Sequence, residues 1–212
     1  MKDTGAKKLP RWLEWAREIQ ALAQTGTRYA SNEFQRLRYR RLSEVATEIV
    51  SEHADVDREA LLHTFHDQRG YATPKVDVRG AVFSEDRLLL VQERADGGWT
   101  LPGGWADVGD VPSEAAEREV WEEAGFRVKA SKVIGVYDTN RADPMELFHA
   151  FKLIFLCDLV SGTATPSLET SRVEFFARDA VPTEFSGQRT GPRHIEHAFA
   201  AHEDPGVPTF FD

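Results

Sequence analysis

Three glutamates within five residues, Glu119, Glu122 and Glu123, lie inside a stretch that every local signal marks as helix. The pattern predicts a helix over residues 113–124, stopped by Gly125. Positions i, i+3 and i+4 share a helix face, so the three carboxylates repel one another there. The opposite face carries Ala115, Ala116, Val120 and Ala124. Residues that small let a helix lie close against a sheet. The carboxylate face makes sense if a divalent cation neutralises it, and all-oxygen donors favour the hard ions Mg²⁺ or Mn²⁺. A Glu-rich face taken alone is usually solvated surface. Here it stands at fixed spacing from Gly104, Asp110, Arg118 and Gly125. Arg118 reaches Glu122 at i+4 or Glu114 at i−4, which would orient a ligating carboxylate. Ahead of the helix, Gly103, Gly104 and Gly109 free the backbone for a tight loop whose carbonyls and amides can face metal or phosphate.

The rest of the chain narrows the possibilities. Its 212 residues suffice for one sizeable domain and a small appendage. The single cysteine, Cys157, excludes a disulfide framework and a cysteine-based zinc site. A net charge of −9 argues against a duplex-DNA binder. No run of 18 apolar residues suggests a membrane span, and residues 1–8 lack the apolar core of a secretory signal. With the lone thiol, this points to the cytoplasm.

Residues 9–72 read as three helices. Trp12, Ala16, Ile19 and Ala23 form one apolar stripe, ended by Thr25-Gly26-Thr27. Ser31-Asn32 caps a second helix carrying Phe34, Leu37, Leu42, Val45 and Ile49. Its arginines, 36, 38, 40 and 41, read first as a solvated face and second as a phosphate or dimer contact. Asp55 or Asp57 caps a third helix with Leu61, Leu62 and Phe65, stopped by Gly70. Three short helices cannot bury themselves, and Trp12 and Trp15 are costly to expose. A homodimer through these helices, roofing the substrate cleft, is therefore expected. Ala72-Thr73-Pro74 marks a boundary, so the domains are 1–72, helical, and 73–212. Strands are expected at 76–83, 88–91, 128–137, 148–159 and 173–177, with a turn at 84–86. Gly97-Gly98 and Pro102-Gly103-Gly104 read as loops, and Pro192 opens a last helix with Ile195, Ala198 and Phe199. His194-Ile195-Glu196-His197 is not a zinc motif and reads as ordinary surface. Neither a P-loop nor a Rossmann fingerprint is present.

The segment from Gly104 to Phe126 resembles the Nudix box, Gly-x5-Glu-x7-Arg-Glu-U-x-Glu-Glu-x-Gly-U, across all 23 residues. Gly104, Arg118, Glu119, Val120, Glu122, Glu123 and Gly125 match it. Asp110 stands where the family has Glu, and Phe126 fills the last apolar position. The shorter Asp110 is expected to be tolerated, because in the family that residue supports the loop and helix. The resemblance implies an α/β fold, an α/β/α sandwich with a mixed sheet, here preceded by a small helical domain. It implies a pyrophosphatase acting on a nucleoside diphosphate linked to a moiety X. It also implies Glu119, Glu123, Glu122 and the Gly103 carbonyl as metal ligands, with Arg118 in support. The general base is a box glutamate such as Glu122 or one on a later loop, for which Glu169 is the choice over Glu174.

The N-terminal segment from Trp12 to Gly26, the stretch Lys75 to Ala81 and the run Ser167-Leu168-Glu169-Thr170 resemble the Nudix subgroup with an N-terminal helical domain. Hydrolases of CDP-choline or ADP-ribose type belong there, although Arg172 stands where an acid is expected. Trp99, Trp105, Tyr137 and Phe148 are the candidates to stack a base. Arg79 and Arg94 are the candidates to hold phosphate. The loop Asp138-Thr139-Asn140-Arg141 is expected to read X. Two other readings stay open at this level: a non-catalytic nucleotide sensor, which would show an eroded box, and an RNA-end processing hydrolase, which the acidic chain disfavours.

Overall fold

Small residues bring the first two helices together. In the computed structural model, which describes residues 10–68, 70–107, 109–139, 149–187 and 189–212, α1 (Arg11–Tyr29) buries Leu13, Ala16, Gln20 and Ala23. Helix α2 (Glu33–His53) buries Ser43, Ala46, Thr47 and Val50, with the Thr47 hydroxyl bonded to the Ser43 carbonyl. Leu61 and Phe65 of α3 (Arg58–Asp67) complete this core. Asn32 caps α2 by accepting from the Gln35 N–H at 2.9 Å, and Asp57 caps α3 by accepting from the Ala60 N–H at 2.7 Å.

Two expectations fail in this unit. Helix α1 does not end at residues 25–27 but runs through Gly26 to Tyr29. Gly26 is there for contact: a Cβ would lie 2.1 Å from the Tyr39 ring, so glycine lets α2 approach. Of the apolar residues read from α2, Ile49 packs against this core, but Phe34, Leu37 and Leu42 are exposed. Phe34 is 79% and Leu37 54% exposed, as the buried face is built of shorter side chains. Arg36, Arg40 and Arg41 pair with Glu33, Glu44 and Glu48, the solvated-face reading.

The chain divides into two compact units, one ending at Pro74 and the other beginning at Lys75. The second is an α/β/α sandwich. Its sheet has strand order β3-β2-β1-β6-β5-β8, with β4 on β1 and β7 on β2. The strands are β1 (Lys75–Ser84), β2 (Arg87–Glu93), β3 (Trp99–Thr100), β4 (Gly103–Trp105), β5 (Phe126–Asp138), β6 (Ala150–Gly162), β7 (Thr170–Phe176) and β8 (Phe210–Phe211). β1 runs parallel to β6, with Asp77 opposite Lys152, and antiparallel to β4, with Arg79 opposite Gly103. Glu85 and Asp86, both at positive φ, make the tight turn from β1 to β2.

Alternation along the strands separates two cores. Val78, Val82, Leu89, Val91 and Phe155 pack under α4 (Pro112–Ala124) through Ala115, Ala116, Val120 and Ala124. Ala81, Leu88, Leu90, Ile134 and Ile154 face α5 (Pro192–Glu203) through Ile195, Ala198 and Phe199. Gly103 and Gly104, read as loop from their composition, lie in β4, because pairing with β1 supplies the order that glycine lacks. No helix of the described residues is long and apolar enough to cross a membrane.

Candidate active site

Helix α4 carries the box carboxylates, and its ends explain its placement. Pro112 opens it, and Gly125, left-handed at φ 78°, closes it with its N–H on the Trp121 carbonyl at 3.0 Å. The Gly103 N–H donates to Glu123 Oε2 at 2.9 Å, so β4 holds the innermost carboxylate. Gly103 sits at φ +149°, and a Cβ there would lie 2.1 Å from the Val78 carbonyl oxygen. Only glycine fits between β1 and the helix. A Cβ at Gly104 would come within 2.9 Å of Glu119 Oε2, so a larger residue there would displace that carboxylate.

Arg118 organises the outer carboxylates. It donates to Glu119 Oε1 at 2.8 Å, Glu122 Oε2 at 3.4 Å and Asp110 Oδ2 at 3.0 Å, and not to Glu114 as the i−4 spacing allowed. Asp110 also accepts from the Asp107 N–H at 3.0 Å, so the shorter acid supports loop and helix together. That backbone bond, with Arg118, holds the Asp110 carboxyl below its ordinary range. Burial works against the Arg118 cation, yet Asp110, Glu119 and Glu122 keep it above its usual pKa.

Burial dominates the inner pair. Glu123, 6% exposed, is pushed up to about 7 by desolvation, against the opposing charge of Arg79 and the Gly103 N–H. Glu119 is raised for the same first reason, with Arg118 opposing.

A loop completes the site. The Thr170 hydroxyl donates to the Glu123 carbonyl at 2.8 Å and accepts from the Ser167 N–H at 2.9 Å. The Thr165 N–H reaches the Ala124 carbonyl at 3.0 Å, and the Arg94 N–H reaches the Glu169 carbonyl at 2.8 Å. These bonds pin residues 165–170 to the C-terminal end of α4 and to Arg94, just after β2. The result is a cleft of about 550 Å³ lined by Glu119, Trp121, Glu122, Glu123, Gly125 and residues 165–169. It brings Glu169, distant in sequence, onto the same cavity as the three box glutamates. Among the described residues, no three His, Cys, Asp or Glu side chains already converge as a metal cage. Arg118 and the Gly103 N–H hold the carboxylates in these positions. The donor set is nonetheless all-oxygen and partly desolvated, which fits a hard divalent cation.

Other expected site residues are placed elsewhere. Arg79 is buried, not presented to phosphate. It pairs with Asp77 at 2.9 Å and donates to the Leu101 carbonyl at 3.0 Å and Thr100 Oγ1 at 3.3 Å. Its charge instead acts on Glu123 from beneath. Trp99 is in the core, edge-on to Phe176 at 4.9 Å, and Tyr137 is buried, its hydroxyl on His197 Nδ1 at 2.9 Å. Neither ring is part of the cleft lining, because β3 and β5 turn those positions toward α5. His194, read as surface, is buried against the same Tyr137, and His197 stacks on Phe210. Trp105 is exposed on β4, outside the cleft lining. Arg94 is exposed beside the loop, on the Ser167 carbonyl at 3.4 Å. Arg172 pairs with Glu174 and lies over Trp99. Phe148, Asn140 and Arg141 lie outside the described residues.

The sequence reading passed over Trp121, Pro166 and Leu168 as lining and Thr170 as anchor. Trp121 was findable: it sits within the carboxylate run, off the alanine face, where a solvated helix would carry a polar residue.

The comparisons agree with this geometry. Residues 10–65 match the family described as "UDP-X-like, N-terminal oligomerisation domain", and residues 73–198 match "NUDIX domain". The chain is 34% identical over 203 residues to YjhB of Bacillus subtilis (strain 168), provisionally named an ADP-ribose pyrophosphatase, covering 95% of this chain and 97% of that one. Among solved structures, a UDP-X diphosphatase aligns at 28% identity and TM-score 0.62 over 95% of this chain and 98% of its own. An ADP-ribose pyrophosphatase from Streptococcus suis 89-1591 aligns at 36% identity and TM-score 0.60, covering 66% and 100%.

Proposed function

The chain belongs to the Nudix family of hydrolases, and from that premise we propose that it cleaves the pyrophosphate bond of a nucleoside diphosphate linked to a moiety X, with Mg²⁺ or Mn²⁺, releasing a nucleoside monophosphate and phosphorylated X. The observation that carries this reading is the convergence of Glu119, Glu122, Glu123 and Glu169 on one cleft. Nudix hydrolases as a family use divalent cations, and Glu119, Glu122, Glu123 and the Gly103 carbonyl are the groups that would hold one here. When bound, such an ion offsets pyrophosphate charge and lowers the pKa of water.

The chain's own groups do the rest. Glu169, on a pinned but solvent-facing loop, takes the proton from the attacking water. Glu122, the most exposed box carboxylate, is the other candidate for that role. Arg118 pairs with Glu119, Glu122 and Asp110 at once, which fixes the outer carboxylates beside the cleft. Arg94, beside the Glu169 loop, is the cation placed to meet a phosphate entering the cleft. ADP-ribose and UDP-linked compounds are the first substrates to test, as the names of the relatives suggest, with CDP-choline beside them.

The N-terminal unit is assigned the role of a dimerisation domain. Trp12 is satisfied by stacking on His53 at 5.0 Å, whereas Trp15, Leu22, Tyr29, Phe34 and Leu37 stay exposed. A bare apolar surface of that kind is the mark of an interface, and the matched family is described by oligomerisation.

Phosphate release with added phosphatase, measured over these compounds, sugar nucleotides, dinucleoside polyphosphates and nucleoside triphosphates with either ion, tests the reading. Preference for one diphosphate-X is expected. Tight binding without turnover of any of them would replace it with the sensor.

A further inference from the structure

One wall of the cleft is not explained by metal or proton chemistry. Trp121 stands between Glu119 and Glu122 on α4 and lines the cleft, yet 43% of it is exposed. The Arg127 guanidinium lies over its ring, 4.0 Å from the centroid. Among the described residues, no carboxylate pairs with Arg127, so the stack on Trp121 is what that side chain does. Leu168, which lines the same cleft, is 96% exposed. Leu168 is not on a loose loop, for Ser167 and Thr170 bond to each other on either side of it, and the Glu169 N–H donates to Ser167 Oγ at 3.0 Å. Pro166 stands on the same wall. Two apolar surfaces, each held in place, therefore border the carboxylates: an indole with Arg127 over one side and the exposed Leu168.

We infer that Trp121, fixed by Arg127 and sharing the cleft with Leu168 and Pro166, is the stacking platform for the nucleobase of the substrate. This rests on the cleft being the nucleotide site proposed above. The Thr165 and Ser167 hydroxyls and the Glu122 and Glu169 carboxylates on the same cleft suit the polar remainder of the substrate, and the guanidinium already over the indole disfavours a cationic choline there. A flat ring needs only a flat partner, and indole suits it best. The fixed ring loses little freedom when the base arrives. Because every base has a π-face, stacking alone tolerates base identity, so the platform confers affinity for a nucleotide with weak discrimination among bases.

The test is calorimetric and independent of turnover. AMP, CMP, GMP, UMP and ribose 5-phosphate are titrated, with Mg²⁺ present, into the wild-type protein and the Trp121→Ala and Trp121→Phe variants. The wild type is expected to bind the four nucleotides within a few-fold of one another and about ten-fold or more tighter than ribose 5-phosphate. Trp121→Ala erases that preference, and Trp121→Phe keeps most of it. Should Trp121→Ala fail to fold, Leu168→Ser, at a nearly fully exposed position, is read in its place and weakens the nucleotides but not ribose 5-phosphate. A wild type without the preference, or a Trp121→Ala protein that keeps it, overturns the inference. If the preference is present and lost as described while no diphosphate-X is hydrolysed, the proposed reaction falls and the platform stands.

Discussion

The Thr170 hydroxyl donates a hydrogen bond to the backbone carbonyl of Glu123 over 2.8 Å, tying the loop of one carboxylate to the helix of another. Thr170 is fully buried, and its oxygen also accepts from the Ser167 N–H. Thr170→Val keeps the shape and strands both partners. A stability loss of about 1–3 kcal/mol in denaturant unfolding is expected, with kcat falling further than KM changes, since Glu169 loses its position. Unchanged kcat in a destabilised protein would mean that Glu169 is not in the reaction.

Glu123→Gln should nearly abolish turnover and also change how stability depends on pH. Burial lifts the Glu123 pKa from an ordinary 4.5 to about 7. Between those values the unfolded chain has released the proton and the native protein has kept it. The contribution is therefore fully present below pH 4.5 and is lost as pH rises through 7, by about 3 kcal/mol at most. With divalent ions chelated, urea unfolding at pH 4.5 and pH 8 should show the variant gaining on the wild type at the higher pH. Parallel behaviour of the two proteins would contradict the buried, protonated Glu123.

Arg79 is expected to act from beneath the site. Arg79→Met leaves Asp77 buried beside Lys152 alone, 3.5 Å away, and leaves the Leu101 carbonyl, two residues before Gly103, with the Thr100 hydroxyl as its one remaining side-chain donor among the described residues. A cost of about 3–5 kcal/mol is expected from the broken buried pair. Replacing Asp77 by Leu in the same protein should recover part of the stability but not kcat, because Gly103 has lost its support. Full recovery of kcat would make the pair structural only.

Phe34→Glu combined with Leu22→Glu places charge on the bare face of the helical unit. Sedimentation at micromolar concentration should show a dimer for the wild type and a monomer for the variant. Since both positions are exposed, the monomer unit should keep its helicity. A wild type that sediments as a monomer would end the dimer proposal.

The carboxylate helix was legible because it is written in local spacing, and the reaction class followed from its resemblance to the Nudix box. Glu119, Glu122 and Glu123 need only a helix to share a face, and Gly125 needs only to end it. The caps at Asn32 and Asp57, the turn at Glu85-Asp86 and the helix begun by Pro192 are local in the same sense. Of the residues around the carboxylates, Arg118, Gly103 and Glu169 were legible and the rest were not. Arg79 and Trp99 lie in or beside short glycine-flanked strands, where a shift of one residue exchanges core for cleft. Charge and aromaticity suggested ligand contacts there, and the pleat turned both inward. His194 looked like surface because a polar helix position usually is, and only the packing of α5 on β5 shows otherwise.

By itself, then, the sequence determined the helix that carries the chemistry, the glycines that let a strand touch it and the alternation that builds a sheet between two layers. The tertiary structure decided which distant side chains meet there. Bonds from Thr170, Thr165 and Arg94 bring Glu169 onto the cleft, and a stack with Arg127 turns Trp121 into one of its walls. The physical reason is range. Helix periodicity and capping act over a few residues, whereas the loop at 165–170 reaches α4 only after β5 and β6 have paired and set where the chain returns.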